Sequence, residues 1–238
     1  MSNWKAKRFW KAAAVTEGAD GFGVALDGRP VKTPGKAPLV LPTRALAAAI
    51  AAEWGAQTGQ IDPRQMPLTR AANSALDKVV PQHAEVAALI ADYGGTDHLC
   101  YRATFPAALR AQQDAVWQPL LDWAATRFGA PLRVAEGVVP IDQPPEALAR
   151  LAAVVASMDA FELAALHDLV GITGSLILGL AVTERHLNAA DAWTCARIDE
   201  DWQILHWGAD DEAQAHASAK RAALLDAERF WHLVHLRD

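Results

Sequence analysis

Residues 199 to 212 place six carboxylates, Asp199, Glu200, Asp201, Asp210, Asp211 and Glu212, around Trp202, His206 and Trp207, with no Lys or Arg among them. Carboxylates beside an imidazole are the raw material of a metal site or of proton transfer. The spacing argues against both, because His206 with Asp199 or Asp201 repeats no ligand motif such as HExxH. Asp97, His98 and Cys100 set a carboxylate, an imidazole and a thiol close in sequence, yet catalytic Cys–His pairs meet in space and seldom along the chain. The segment from Gly171 to Ser175, GITGS, lacks the lysine of a phosphate-binding loop, and no GxSxG elbow is present. His232 and His235 read as surface or interface residues. The sequence therefore predicts no catalytic residues, no metal and no cofactor.

On a helix, Cys195, Ile198, Trp202 and Leu205 follow at intervals of three, four and three. That apolar stripe predicts burial and makes Trp202 structural. Gly208 then ends the helix. Asp210 caps the next one, with Asp211 and Glu212 in its first turn, where the helix dipole favours negative charge. Asp199, Glu200 and Asp201 have no such duty, and form either a solvated face or a docking surface for a basic partner. Residues 66 to 77 pose the same choice. With Leu68, Ala72, Ala75 and Val79 facing inward, Arg70, Asn73 and Asp77 share an outer stripe, as local helix support or as a recognition patch.

The elements that must position these residues fall into two groups. Over residues 1 to 42 the short runs RFWKAAAV, GFGVAL, RPVKT and PLVLP, bounded by Gly, Pro and Asp, predict a small antiparallel sheet with a hairpin turn at LDGRP. From residue 43 to 238 the helical period takes over. Thr43 caps a helix reaching Gln57, with Leu46, Ile50 and Trp54 on one face. Further helices are predicted from Thr69, from about Gln82 to Tyr93, through FPAALRAQQDAVWQPLLDWAATRFG with a kink near Pro119, and from Pro144 and Pro145. One or two short strands are predicted within APLRVAEGVVPI. Residues 169 to 183 carry no charge, and Gly171, Ser175 and Gly179 recur every four residues. This run falls short of the roughly 20 residues of a membrane span and predicts one central core helix, capped by Asp159. Asn188 to Trp207 and Asp210 to His235 predict the last two helices. The fold class is α+β, a small N-terminal antiparallel β domain (1–42) followed by a larger helical domain (43–238).

Composition narrows the function. Hydrophobic residues make up 52% of the 238, enough for a sizeable core, and the net charge of −6 lacks the basic excess of a nucleic-acid binder. The basic stretch at residues 4 to 11 reads as a solvated strand end. Cys100 and Cys195 read as reduced thiols. No secretory signal or organelle leader is evident, which predicts a bacterial cytoplasmic protein or a mature form with its leader removed.

Taken in order, GRPVKTP, AAEWGAQ, MPLTRAANSALD, YRA ahead of QQDAVWQPLLDW, and DEDWQILHWGADDEA resemble the ATP-twelve family over residues 7 to 212. The resemblance implies an assembly chaperone that needs no ATP. It binds the free alpha subunit of the ATP synthase F-one head through the surface later covered by the beta subunit. It also implies no nucleic acid and no stable membrane insertion, in the bacterial cytoplasm or, in eukaryotes, the mitochondrial matrix. It makes Asp199, with neighbouring Glu200, and Trp54 functionally sensitive. The partner-binding candidates are thus Asp199, Glu200, Asp201, Arg70, Asn73 and Asp77, while Trp54 and Trp202 are structural. The competing expectations are a soluble hydrolase or transferase with its site between the β and helical domains, and an interaction module for another partner.

Overall fold

The structure, a computed structural model, describes residues 7–236. It is α+β. An antiparallel sheet of β1 (Ala13–Gly18), β2 (Gly21–Leu26) and β3 (Arg29–Pro30) is followed by a mostly helical chain. The β2–β3 turn is the two-residue Asp27-Gly28 loop, with φ of 47° and 80°. Two positive φ values match the right-handed twist of a hairpin. The expected strands RPVKT and PLVLP shrink to β3 and the isolated bridges Lys32↔Pro38 and Phe22↔Leu41. Pro30, Pro34, Pro38 and Pro42 lack the N–H that would extend a ladder. RFWKAAAV becomes strand only at Ala13, and residues 4 to 6 of the basic stretch lie outside the described residues.

The chain forms two compact units. One holds the described residues up to His83, with Ala160–Ala165 and those from Arg229 onward; the other holds Ala84–Asp159 and Leu166–Glu228. The first unit does not stop at residue 42, because the buried Val24, Ala25 and Leu26 of β2 need a cover that a three-stranded sheet cannot provide for itself. Helix α1 (Arg44–Ala56) supplies it, packing on β1 and β2 with Leu46 and Ile50 fully buried. Thr43 caps α1 through Leu46 N–H at 3.1 Å. Helix α2 (Pro67–Ser74) begins at Pro67 rather than Thr69, since proline suits a first helical position. Pro81 has no N–H to offer, and the backbone passes it by a π turn (Ala75–Val79) and a 3-10 turn (Val80–Gln82) into α3 (His83–Ala91).

In the second unit, β4 (Tyr101–Arg102) pairs in parallel with β5 (Ala135–Glu136). Helix α4 (Ala107–Phe128) runs through Pro119 without interruption and ends at Gly129 in the left-handed conformation. Helix α5 (Pro145–Ala156) has its proline in the first turn. The uncharged run 169 to 183 is two helices, not one. Helix α6 (Ala160–Thr173) stops at Gly174, whose φ is +70°, and Ser175 caps α7 (Leu176–Thr183) through Leu178 N–H at 3.0 Å. A Cβ on Gly179 would lie 2.5 Å from Val170 Cγ2, so glycine is what lets α7 approach α6. The predicted helix from Asn188 to Trp207 also divides, into α8 (Ala189–Ala196) and α9 (Ile198–Trp207), at Arg197 with φ −109°. Asp210 caps α10 (Asp211–His235) through Ala213 N–H at 2.8 Å.

Candidate functional site

In the first unit, hydrogen bonds join the sequence segments that stood out. Glu53, on α1, accepts from Leu68 N–H, Thr69 N–H and the Thr69 hydroxyl at 2.8, 2.8 and 2.6 Å. A carboxylate from another helix thus caps the N-terminus of α2, where the dipole favours negative charge. In the π turn that follows α2, Asp77 accepts from the Thr33 hydroxyl at 2.6 Å and from Gly35 N–H at 2.8 Å. It holds the loop after β3, and a Cβ on Gly35 would lie 2.6 Å from its carboxylate. Asn73 Oδ1 is buried without a partner. Of the expected outer stripe, Arg70 alone is exposed, while Asn73 and Asp77 are half-buried.

Trp54 is half-buried rather than core. Its ring meets Trp10 edge to face with centroids 5.2 Å apart, and Trp10 Nε1–H donates to the Trp54 carbonyl at 3.2 Å. Trp10, only 3% exposed, is the core member of the pair. Arg8 is not a solvated charge, since its guanidinium donates to the carbonyls of Gly55 and Gln57 at 3.0 and 2.6 Å, among the unpaired carbonyls at the end of α1.

The second unit is organised around a buried guanidinium. Arg102 lies over the Trp117 ring at 5.2 Å, donates to the Leu99 carbonyl, and pairs with Asp114 at 2.8 Å. Asp114 also accepts from Arg110 at 2.9 Å, and Arg110 reaches Glu136 at 2.6 Å. Burial alone would push the Asp114 carboxyl up, but hydrogen bonds from Arg102 and Arg110 hold it below the usual range. Next to it, Gln113 accepts from Ala103 N–H at 2.7 Å and donates to Asp199 at 2.6 Å.

The Asp97–His98–Cys100 group is structural. Asp97 is fully buried and accepts from Leu99 N–H and from Ile177 N–H, both at 3.0 Å, so it serves the first turn of α7. Burial raises its carboxyl above the usual range. Burial also pushes the Cys100 thiol up to about 12, which keeps it protonated and unreactive. Among the described residues no group of His, Cys, Asp and Glu could hold a metal ion, and no helix is long and apolar enough to cross a membrane.

Helix α9 departs most from the expected stripe. Cys195 falls on α8, beyond the break at Arg197. Ile198 is buried and Trp202 half-buried, stacked on His206 with centroids 4.4 Å apart, while Leu205 is exposed. The three acids have three fates. Asp199 is half-buried on Gln113, Asp201 pairs with Arg197 at 3.3 Å, and Glu200 is exposed with no ion pair or hydrogen bond among the described residues. Glu53, Arg102 and Gln113 escaped sequence reasoning, because each acts on a partner outside its own element. The only signal was their place inside the distinctive segments.

Similarity to known proteins, rather than the fold alone, gives this chain its class, a molecular chaperone. The chain belongs to the ATP12 chaperone family: the family model described as "ATP12 chaperone protein" matches residues 7–125. The crystal structure of Atp12 from Paracoccus denitrificans is similar with a TM-score of 0.93 at 54% identity, covering 97% of this chain and 99% of that one. A single-substitution mutant of the Paracoccus protein is similar with a TM-score of 0.94, again at 54% identity, covering 98% and 100%. The mitochondrial protein atp12 of Schizosaccharomyces pombe is 24% identical over 219 residues, 87% of this chain and 75% of that protein. The family supports the chaperone expectation over the hydrolase or transferase.

Proposed function

We propose that the protein is a nucleotide-independent chaperone for the free alpha subunit of the ATP synthase F-one head, and not an enzyme. The observation that carries this reading is the likeness to Paracoccus Atp12 at 54% identity over nearly the whole chain, joined to what the family resemblance implies about the client. On this reading Glu200 and Asp201 on α9 and Arg70 on α2 meet the client. Asp199, held by Gln113, and Asp77, held by Thr33 and Gly35, stand beside them, and Asn73 follows Arg70 by one turn of α2. The protein works in the bacterial cytoplasm, the counterpart of the mitochondrial matrix.

The test is aggregation of purified alpha subunit followed by light scattering, with and without an equimolar amount of this protein and no nucleotide. Suppressed scattering is expected. Unchanged scattering refutes the reading.

A further inference from the structure

The carboxylates of residues 7 to 83 are almost all committed within that stretch. Glu17 pairs with Arg44 and Asp62 with Arg64. Asp27 accepts from the N–H groups of Lys11 and Ala12, Glu53 caps α2, and Asp77 holds the loop after β3. Only Asp20 is left without such a duty among the described residues. The cations are not matched in the same way. Lys36, Arg70 and Lys78 are exposed, and none of them makes an ion pair or a side-chain hydrogen bond among the described residues. Arg70 stands on α2, and one α turn followed by the π turn carries the chain eight residues on to Lys78, on the same side. Lys36 enters from the loop. Asp77 accepts from Gly35 N–H at 2.8 Å. With consecutive Cα atoms 3.8 Å apart, the Cα atoms of Lys36 and Lys78 therefore lie within about 15 Å of each other.

Lys36 also holds an unfavourable backbone. Its φ is +70°. Its N–H donates to the Thr33 carbonyl at 2.9 Å, and Thr33 N–H donates to the Ala37 carbonyl at 2.9 Å. This is a three-residue loop, Pro34-Gly35-Lys36, whose last position favours glycine. Lysine there strains the chain while its ammonium contributes nothing to the described fold. An outlier of this kind, on a charged and exposed residue, points to a use outside the fold.

We infer that Lys36, Arg70 and Lys78 form a docking face for an acidic segment of the client. Asp77 keeps the loop of Lys36 against the end of α2. Charge complementarity selects the occupant, and number narrows it. Three cations answer a few carboxylates, but fall short of the roughly four to eight that hold an anionic membrane or the roughly six to ten phosphate contacts of a nucleic-acid binder. The net charge of −6 opposes both of those polyanions. The inference rests on the alpha-subunit reading for the identity of the client.

The test uses the full chain and purified free alpha subunit, with Kd measured for the parent, for Lys36→Gly and for Lys36→Glu/Lys78→Glu. The parent should bind. Lys36→Gly should melt at or above the parent's temperature, since glycine takes the positive φ freely, while its Kd rises about two- to fivefold, the range of one exposed ion pair. The double glutamate variant should keep the parent's circular dichroism and bind about tenfold more weakly or worse, with a deficit that shrinks as salt approaches about 0.5 M. A parent that fails to bind alpha subunit sinks the client reading and this inference together. A parent that binds while both variants bind equally well sinks this inference alone. A Lys36→Gly protein that melts lower would make the lysine structural. Equal binding of the parent to phosphatidylserine vesicles would make the face a membrane contact, and a parent dimer abolished by the glutamates would make it a self-contact. Each of these three results overturns the proposal.

Discussion

Gln113 Nε2 donates to Asp199 Oδ1 at 2.6 Å, joining residues 86 apart in the chain. Gln113 is 1% exposed and its own carbonyl oxygen is taken by Ala103 N–H. Removing Asp199 therefore strands a buried amide. Asp199→Ala should cost about 1–3 kcal/mol of stability. Gln113→Ala should cost a similar amount, and the double variant clearly less than their sum. Urea denaturation of the three variants checks this. Strict additivity would mean that the bond carries no coupling.

Glu53 stabilises α2 from outside. Glu53→Ala leaves Leu68 N–H and Thr69 N–H without their acceptor, and should cost about 1–2 kcal/mol, the range for losing a helix cap. Glu53→Gln keeps one acceptor oxygen and should lie between parent and Ala. Thermal unfolding by circular dichroism measures both; a Gln variant no better than Ala would count against the cap.

Trp10 and Trp54 separate a core tryptophan from a half-buried one. Trp10→Ala should cost about 3–5 kcal/mol, as core aromatic truncations do, and Trp54→Ala distinctly less. The reverse order of melting temperatures would show that the apolar stripe on α1 outweighs the observed burial. A Trp54→Ala protein that melts like the parent but fails to hold alpha subunit would move Trp54 to the client surface.

Acid should weaken the protein through Asp114 and Asp27. Asp114 is held below 3.8 by Arg102 and Arg110 against the push of burial, and Asp27 by the N–H groups of Ala12 and Lys11. A carboxyl lowered in the folded state contributes stability above its unfolded pKa and loses it as pH falls through the folded value. The loss therefore sits below about pH 4. Asp97 acts oppositely, being raised by burial, so its contribution fades as pH rises. Urea midpoints between pH 2 and 5 should fall more gently for Asp114→Asn than for the parent. Parallel curves would exclude Asp114 as a source of the acid limb.

Local chemistry made much of the fold legible. Asp27-Gly28 is a hairpin turn because two residues tolerant of positive φ stand together. Thr43 and Asp210 cap helices because their side chains reach N–H groups three residues on. Pro145 opens α5 because its missing N–H costs nothing there. The candidate acids, and the segments that carry the family resemblance, were equally visible, since they are matters of residue type and order.

Continuity and facing were decided elsewhere. An uncharged run predicts burial but not a single helix. It turns at Gly174 because Ser175 and Asp97 satisfy the freed N–H groups of α7, and Asp97 lies 80 residues from Ile177. The stripe through Leu205 predicts an apolar face but not a neighbour to cover it. Once the helix breaks at Arg197, Ile198 is buried while Leu205 and Trp207 stand in solvent. Likewise the sequence places Asp77 on an outer stripe and assigns Glu53 no role, and only the tertiary fold brings Thr33, Gly35 and the start of α2 within hydrogen-bonding reach. Periodicity records which side of an element is apolar, whereas burial and hydrogen bonding depend on what the rest of the chain sets against that side.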